Sequence, residues 1–145
     1  DQGPVIGDNL ATAILANSGN GVVHDAAVRD LDGIQELDGF CSFVRGAHPS
    51  TANPTIMLAG VNCPVRIGGV TAMPGDVVLG TVSGVIFIPP HLAEEVVEFS
   101  EDTRAQDEFG QQRIAEGVYT PGEVDRAFSE EMEKDFQGWR ANRDG

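Results

Sequence analysis

The sequence predicts an α/β sandwich followed by an acidic helical tail. Its 145 residues are enough for one ordinary hydrophobic core and too few for two comfortable ones. Short β-branched runs bounded by Gly or Pro fill the chain up to position 90, and helix-forming residues take over beyond it. Charge divides at the same place. Residues 1–90 hold 8 acidic and 3 basic side chains, whereas residues 91–145 hold 15 and 6. The chain is therefore read as a body, 1–90, and a helical tail, 91–145, used for packing or oligomerisation.

In the body, Gly3 to Asp8 reads as a flexible loop leading into a helix N-terminus. Asp8 or Asn9 then caps a helix through Leu10, Ala11, Ala13, Ile14 and Leu15. Ser18-Gly19-Asn20-Gly21 stops it with residues that tolerate left-handed backbone. Val22 to His24 reads as a strand, Asp30 to Leu37 as a brief helix, and Phe40 to Val44 and Thr55 to Leu58 as strands. Val65 to Ile67, Val77 to Leu79 and Val85 to Ile88 have the β-branched character of buried strands. Pro74-Gly75-Asp76 is a turn between two of them.

In the tail, His91 to Gly117 forms one long helix or two shorter ones. Pro121 after Thr120 starts another. Phe128, Met132, Phe136 and Trp139 recur at helical spacing, an amphipathic stripe expected to pack on the body or on a neighbouring subunit.

The formal net charge of −14 argues against binding of nucleic acid through a basic surface, which needs clustered Lys and Arg. It also argues against an anionic membrane surface as partner. No apolar run approaches a membrane span, and no charged-then-apolar leader opens the chain. Cys41 and Cys63 read as reduced residues in a core or sheet, which fits a cytoplasmic location.

Several familiar sites are missing from the sequence. Gly19-Asn20-Gly21 follows a helix and is no dinucleotide fingerprint. There is no GxxxxGK[ST] phosphate loop and no GxSxG nucleophile elbow. His24, His48 and His91 stand at no metal-ligand spacing and read as structural. What remains is a set of residues at chain turns. The loop ending in Gly7-Asp8 leads into a helix N-terminus, whose amides favour an anion such as a carboxylate. Arg29 offers a planar fork of donors for a carboxylate or an enolate. Asp30 beside it offers hard oxygen for Mg²⁺ or Mn²⁺. The same spacing is also met by a helix cap and a surface ion pair.

Asp8, twenty intervening residues and Arg29-Asp30 resemble the D-x20-R-D signature of the class II 4-hydroxy-4-methyl-2-oxoglutarate (4-carboxy-4-hydroxy-2-oxoadipate) aldolases. These belong to the family that also contains regulator of ribonuclease activity A, the RraA-like proteins. The resemblance extends, in order, through Gly7-Asp8-Asn9-Leu10-Ala11, Gly21-Val22-Val23-His24-Asp25, Val28-Arg29-Asp30, Phe43-Val44-Arg45-Gly46, Asn62-Cys63-Pro64-Val65, Gly68-Gly69, Pro74-Gly75-Asp76 and Gly84-Val85-Ile86-Phe87-Ile88-Pro89. It covers roughly residues 3–90.

The resemblance implies a swivelling-domain-like β/β/α sandwich, assembled as a homotrimer or hexamer with active sites at subunit interfaces. It implies a divalent metal, Mg²⁺ or Mn²⁺, held through Asp30. Arg29 would hold the pyruvyl carbonyl and stabilise the enolate, and amides at Gly7 and Asp8 would hold the pyruvate carboxylate. Asp8 would position a metal-linked water for proton transfer. The sequence departs from the family at Ala26 or Ala27, where a Gly is usual, and at Gly80-Thr81-Val82-Ser83-Gly84, where an acidic D-x-D-G run is common. The likeness also begins about halfway through the family's domain. The body is therefore expected to be the C-terminal part of that domain, from a truncated or processed chain or a partner in a larger assembly.

The expected activity is cleavage of a 4-hydroxy-2-oxo dicarboxylic acid to pyruvate and a second oxo acid, with oxaloacetate decarboxylation by the same enolate. Such chemistry needs an electron sink at the 2-oxo group, either a lysine Schiff base or a metal with a cation beside the oxygen. Lys134 is the only lysine and sits in the polar tail, which leaves the metal route. The alternatives are a non-catalytic regulator binding a ribonuclease or helicase, whose basic regions an acidic surface suits, and an inactive subunit of a hetero-oligomer.

Overall fold

Pro4, Val5 and Ile6 form the first strand in the computed structural model, which describes residues 3–51 and 56–143. They form strand β1 (Pro4–Ile6), not the expected flexible loop. A β-branched pair behind a proline suits the first residues of a strand. Pro4 and Ile6 are buried while Val5 is half-buried, so the short segment is anchored by its side chains.

Helix α1 (Asp8–Ser18) follows at once. Its N-cap is Gly7 in extended backbone, not Asp8 or Asn9. Asp8 is instead the first helical residue, where an acid complements the positive end of the helix. Gly19 ends the helix in left-handed backbone, at φ 67°, and its N–H reaches the Leu15 carbonyl, a glycine C-terminal stop.

The chain then alternates between two small parallel sheets. Strand β2 (Val22–Val23) pairs with β4 (Ser42–Phe43), and β3 (Ala27–Val28) lies between β1 and β5 (Gly46–Ala47). Helix α2 (Leu31–Gln35) connects β3 to β4. Gly21 is required where β2 begins, because a Cβ there would stand 1.8 Å from the Cys41 carbonyl oxygen. Ile6, Ala11, Val28 and Ile34 form the core of this part, flanked by Val22, Leu37, Phe40 and Val44.

Two antiparallel hairpins follow, β6 (Val65–Ile67) with β7 (Val70–Ala72) and β8 (Val77–Thr81) with β9 (Gly84–Ile88). Pro74 and Gly75 turn the chain between them. The expectation that β8 is buried fails: Val77, Val78 and Leu79 are all about half exposed. Adjacent strand residues face opposite sides, so β8 lies uncovered on both faces among the described residues. The strand expected at Thr55 to Leu58 falls partly outside those residues, and Ile56 to Leu58 is irregular. Cys41 and Cys63 are free and exposed, correcting their expected place in a core or sheet. The α/β class stands, with the strands spread over four small sheets.

The β6–β7 hairpin is tied to the β2–β3 connection through Asp25. Its carboxylate accepts the Arg45 Nε–H on one oxygen and the Gly68 N–H, at 2.7 Å, on the other. Arg45, followed by the Gly68 amide, holds the Asp25 carboxyl below its ordinary value of 3.8.

The chain divides into two units, 1–90 and 91–145. In the second, one 23-residue helix, α3 (Ala93–Ala115), follows a 3-10 turn at Pro90–Leu92. Thr120 begins α4 (Pro121–Val124), and the Glu123 carboxylate accepts its N–H at 2.8 Å and its hydroxyl at 2.6 Å. Helix α5 (Glu130–Arg143) closes the chain. The aromatic stripe was expected to pack on the body or a neighbouring subunit, but it closes on α3. Met132 and Phe136 bury against Ala105 and Phe109, with Phe128, Tyr119 and Trp139 around them. The Phe109 ring lies 5.4 Å from Phe136 and 5.8 Å from Trp139, both edge to face. Arg113 grips Asp135 from α3 with two hydrogen bonds, at 2.8 and 2.5 Å. No helix among the described residues is long and apolar enough to cross a membrane.

Phe109 is fully buried, so Phe109→Ala should cost the tail about 3–5 kcal/mol. The sole tryptophan, Trp139, packs on the same ring, and its fluorescence should report an earlier denaturant midpoint. At Asp25 the lowered pKa means that the stability it lends is complete above pH 3.8 and is lost as pH falls below it. Acid unfolding followed by circular dichroism should show this dependence in the native protein and a weaker one in Asp25→Asn.

Candidate functional site

The site begins with a backbone hydrogen bond. The Arg29 N–H donates to the Ile6 carbonyl at 3.0 Å, continuing the parallel pairing of β1 and β3 past the strand ends. The carboxyl ends of adjacent parallel strands are where open α/β sheets gather binding residues. Here the chain leaves β1 through Gly7-Asp8 and leaves β3 through Arg29-Asp30.

Gly7 shows how close these two exits are. A Cβ on it would stand 2.7 Å from Asp30 Oδ2 and 2.8 Å from Arg29 Nε. Its backbone is ordinary, so the glycine is explained by this approach and not by a left-handed turn. The structure thus brings Gly7, Arg29 and Asp30 together. Arg29 Nε donates to Asp30 Oδ2 at 2.9 Å, and the two side chains are 39% and 45% exposed.

Asp30 itself has left-handed backbone, with φ 53° and ψ 45°. Asp tolerates this region better than most residues, but it still carries strain. Its carbonyl accepts the Ile34 N–H at 3.1 Å, while its carboxylate does not cap α2. An exposed ion pair of this kind contributes at most about 1 kcal/mol. A plain cap and ion pair therefore account for neither the strained backbone nor the glycine beneath the pair.

Asp8 is placed differently. Its Oδ1 accepts the Asn9 N–H at 2.7 Å, so the amide next to those of Gly7 and Asp8, the two expected to receive a substrate carboxylate, is occupied by the protein's own acid. Its Oδ2 turns to α2, 2.8 Å from the Cβ position of Gly33. Gly33 was not singled out in the sequence. Its signal was a glycine inside a predicted helix, a costly choice that points to a close neighbour.

A cleft of about 220 Å³ adjoins these residues, lined by Gly7, Asn9, Leu10, Arg29 and Thr51 among others. Thr51 carried no sequence signal, because it stands in irregular chain shortly after β5, where no local pattern marks it. The histidines take no part in it. Burial pushes the His24 imidazole below its ordinary value, and His48 Nδ1 accepts the Ser50 N–H at 3.2 Å.

The donors present are hard oxygens. Among the described residues no three His, Cys, Asp or Glu side chains group as a metal cage, so a closed structural site of the zinc kind does not fit. One carboxylate that keeps the rest of the ion's shell as water fits Mg²⁺ or Mn²⁺. Asp30, nearly half exposed, has that character.

Residues 1–87 match the RraA-like family, described as Aldolase/RraA. Protein DlpA of Legionella pneumophila is 33% identical over 78% of this chain and 18% of its own length. A protein of Halalkalibacterium halodurans, provisionally named a 4-hydroxy-4-methyl-2-oxoglutarate aldolase, is 32% identical over 77% of this chain and 50% of its own. Among solved structures, an uncharacterised protein from Pseudomonas syringae aligns with TM-score 0.76 and 30% identity, over 84% of this chain and 56% of that one. Streptomyces coelicolor RraAS2, described as an unusual member of the RNase ES inhibitor RraA protein family, aligns with TM-score 0.70 and 29% identity, over 77% and 56%. The chain thus spans about half the length of these solved structures and half or less of the two sequence relatives.

Gly7→Ala should move the Arg29–Asp30 pair with little loss of stability, because every atom it meets belongs to those two partly exposed side chains and alanine accepts the backbone there. The Arg29 Nε–H resonance in an NMR spectrum should shift while the thermal midpoint stays near native. An unmoved resonance would mean that the two loops are farther apart than described.

Proposed function

This chain is a member of the RraA-like (Aldolase/RraA) family, and from that premise we propose that it serves a divalent-metal-dependent lyase reaction on a 2-oxo acid. The substrate class is a 4-hydroxy-2-oxo dicarboxylic acid, cleaved to pyruvate and a second oxo acid. Oxaloacetate would lose carbon dioxide through the same enolate. The supporting observation is the meeting of Gly7, Arg29 and Asp30 at the exits of β1 and β3.

Breaking the C3–C4 bond leaves an electron pair that must be accepted at the 2-oxo oxygen. A Schiff base is disfavoured, since Lys134 is exposed on α5, outside the matched residues. Mg²⁺ or Mn²⁺, held through Asp30, would supply Lewis-acid polarisation of that oxygen. Arg29 keeps its Nε–H on Asp30 and turns its terminal amino groups to the same oxygen as charge develops there. The amides of Gly7 and Asp8, where β1 gives way to α1, receive the substrate carboxylate. Asp8, through a water, takes the proton of the 4-hydroxyl. The C3–C4 pair then becomes the C2–C3 double bond of the enolate, the second oxo acid departs, and a proton returned to C3 completes pyruvate.

A second reading is a regulator that binds a basic protein such as a ribonuclease. The description of the Streptomyces relative and the net charge of −14 favour it. Capture of such a partner unaffected by Asp30→Asn, together with no lyase turnover, would select this reading.

The lyase reading is tested by following pyruvate from oxaloacetate with Mg²⁺ or Mn²⁺ added. Native protein should turn over, and Arg29→Ala should lose about 10²–10³-fold, the usual cost of removing one donor to a developing oxyanion. Absence of native turnover, or an unimpaired Arg29→Ala, would overturn it.

A further inference from the structure

Among the described residues of the body, all but two of the large apolar side chains left exposed lie between Ile56 and Ile86. The longest regular part of that stretch is the β8–β9 hairpin. Its register pairs Leu79 with Ile86 and Val77 with Ile88, so these four side chains share one face. Val77, Leu79 and Ile86 on that face are each about half exposed. The other face, with Val78 and Gly80, looks toward Phe43 of β4 across an apolar cleft of about 380 Å³.

Three features mark the outward face as one that belongs under another layer. β8 and β9 form a sheet of two strands, and such a hairpin is marginal in water without a third strand or a packed neighbour. Val77-Val78-Leu79 is apolar without alternation, as in strands buried on both sides. Residues 77–90 carry no charged side chain, in a chain that is 22% charged. Strand edges that stay in water are blunted by charge, proline or a bulge, whereas the five β8–β9 pairs run without a break in register. A contiguous apolar face from which charge is excluded has the composition of an interface core.

The solved relatives point to what covers it. This chain aligns with 56% of each of the two structures, so each of them holds a large further portion of its chain outside the match. We propose that the face formed by Val77, Leu79, Ile86 and Ile88 is a docking surface for a polypeptide equivalent to that further portion, which lays an apolar layer on the hairpin and removes it from water. The inference rests on the fold and not on the proposed reaction.

The test co-produces the tagged 145-residue chain with the portion of the Pseudomonas syringae protein that lies outside the match. The native chain should capture that portion, and Leu79→Glu, which would bury an unpaired charge, should reduce capture about tenfold or more. Phe99→Glu alters an apolar side chain that is 73% exposed in the tail and should capture as the native chain does. Because the separate portion can fail to fold, the two are also joined in one polypeptide in the order of the parent structure. There Leu79→Glu should lower the thermal midpoint by about 5 °C or more. In the 145-residue chain alone the same substitution should shift it by less than about 2 °C, as changes at exposed positions do. Equal capture by Leu79→Glu, or no native capture together with a joined protein indifferent to the substitution, would overturn the proposal. Self-association of the chain alone that Leu79→Glu disperses would also overturn it, by assigning the face to a second copy. Neither readout involves turnover, so the outcome is separate from that of the lyase assay.

Discussion

The hydrogen bond from the Arg29 amide to the Ile6 carbonyl, at 3.0 Å, sets the register on which the site depends. Parallel pairing places the carboxyl ends of β1 and β3 side by side, and the next residues of each strand must then share one small volume. A side-chain period of two makes this sensitive: a slip of one residue would turn Arg29 toward the opposite face. The glycine at position 7 is the consequence, since any larger residue meets the Arg29–Asp30 pair. Strand, turn and catalytic candidates are thus linked by backbone geometry before any side-chain chemistry is considered.

A second theme is how a strongly acidic chain concentrates positive potential. The tail spends its arginines on its own acids, as in Arg113 with Asp135 and Glu116. The body has fewer bases and holds each of them against a carboxylate or carbonyl through Nε. Fixing one edge of a guanidinium lowers the entropy lost when its other edge binds a ligand.

Much of this was readable in the residues. The Gly19 helix stop, the Pro74-Gly75 turn and the Thr120-Pro121 helix start depend on local backbone preferences, and each appears where expected. Two-residue strands such as Ala27–Val28 and Gly46–Ala47 were missed, because so short a run has no periodicity and is defined only by its distant partner. The aromatic stripe was recognised but its partner was not, since sequence spacing shows which side a helix buries and not what covers it. At the site, Arg29 and Asp30 were legible as chemistry. The turn of Asp8 toward Gly33 was not, because it depends on α1 and α2 sharing one small core.

Asp30 combines two demands that are usually separate. Its position asks for a backbone that aspartate, asparagine and glycine tolerate best, and the proposed chemistry asks for a carboxylate. Of these three residues only aspartate satisfies both. An alanine there would change conformation and charge together, and its phenotype could not be assigned to either. Asparagine keeps the shape and removes the charge, while glycine relieves the strain and removes the side chain. The left-handed turn therefore divides the possible substitutions into those that interrogate the fold and those that interrogate the reaction.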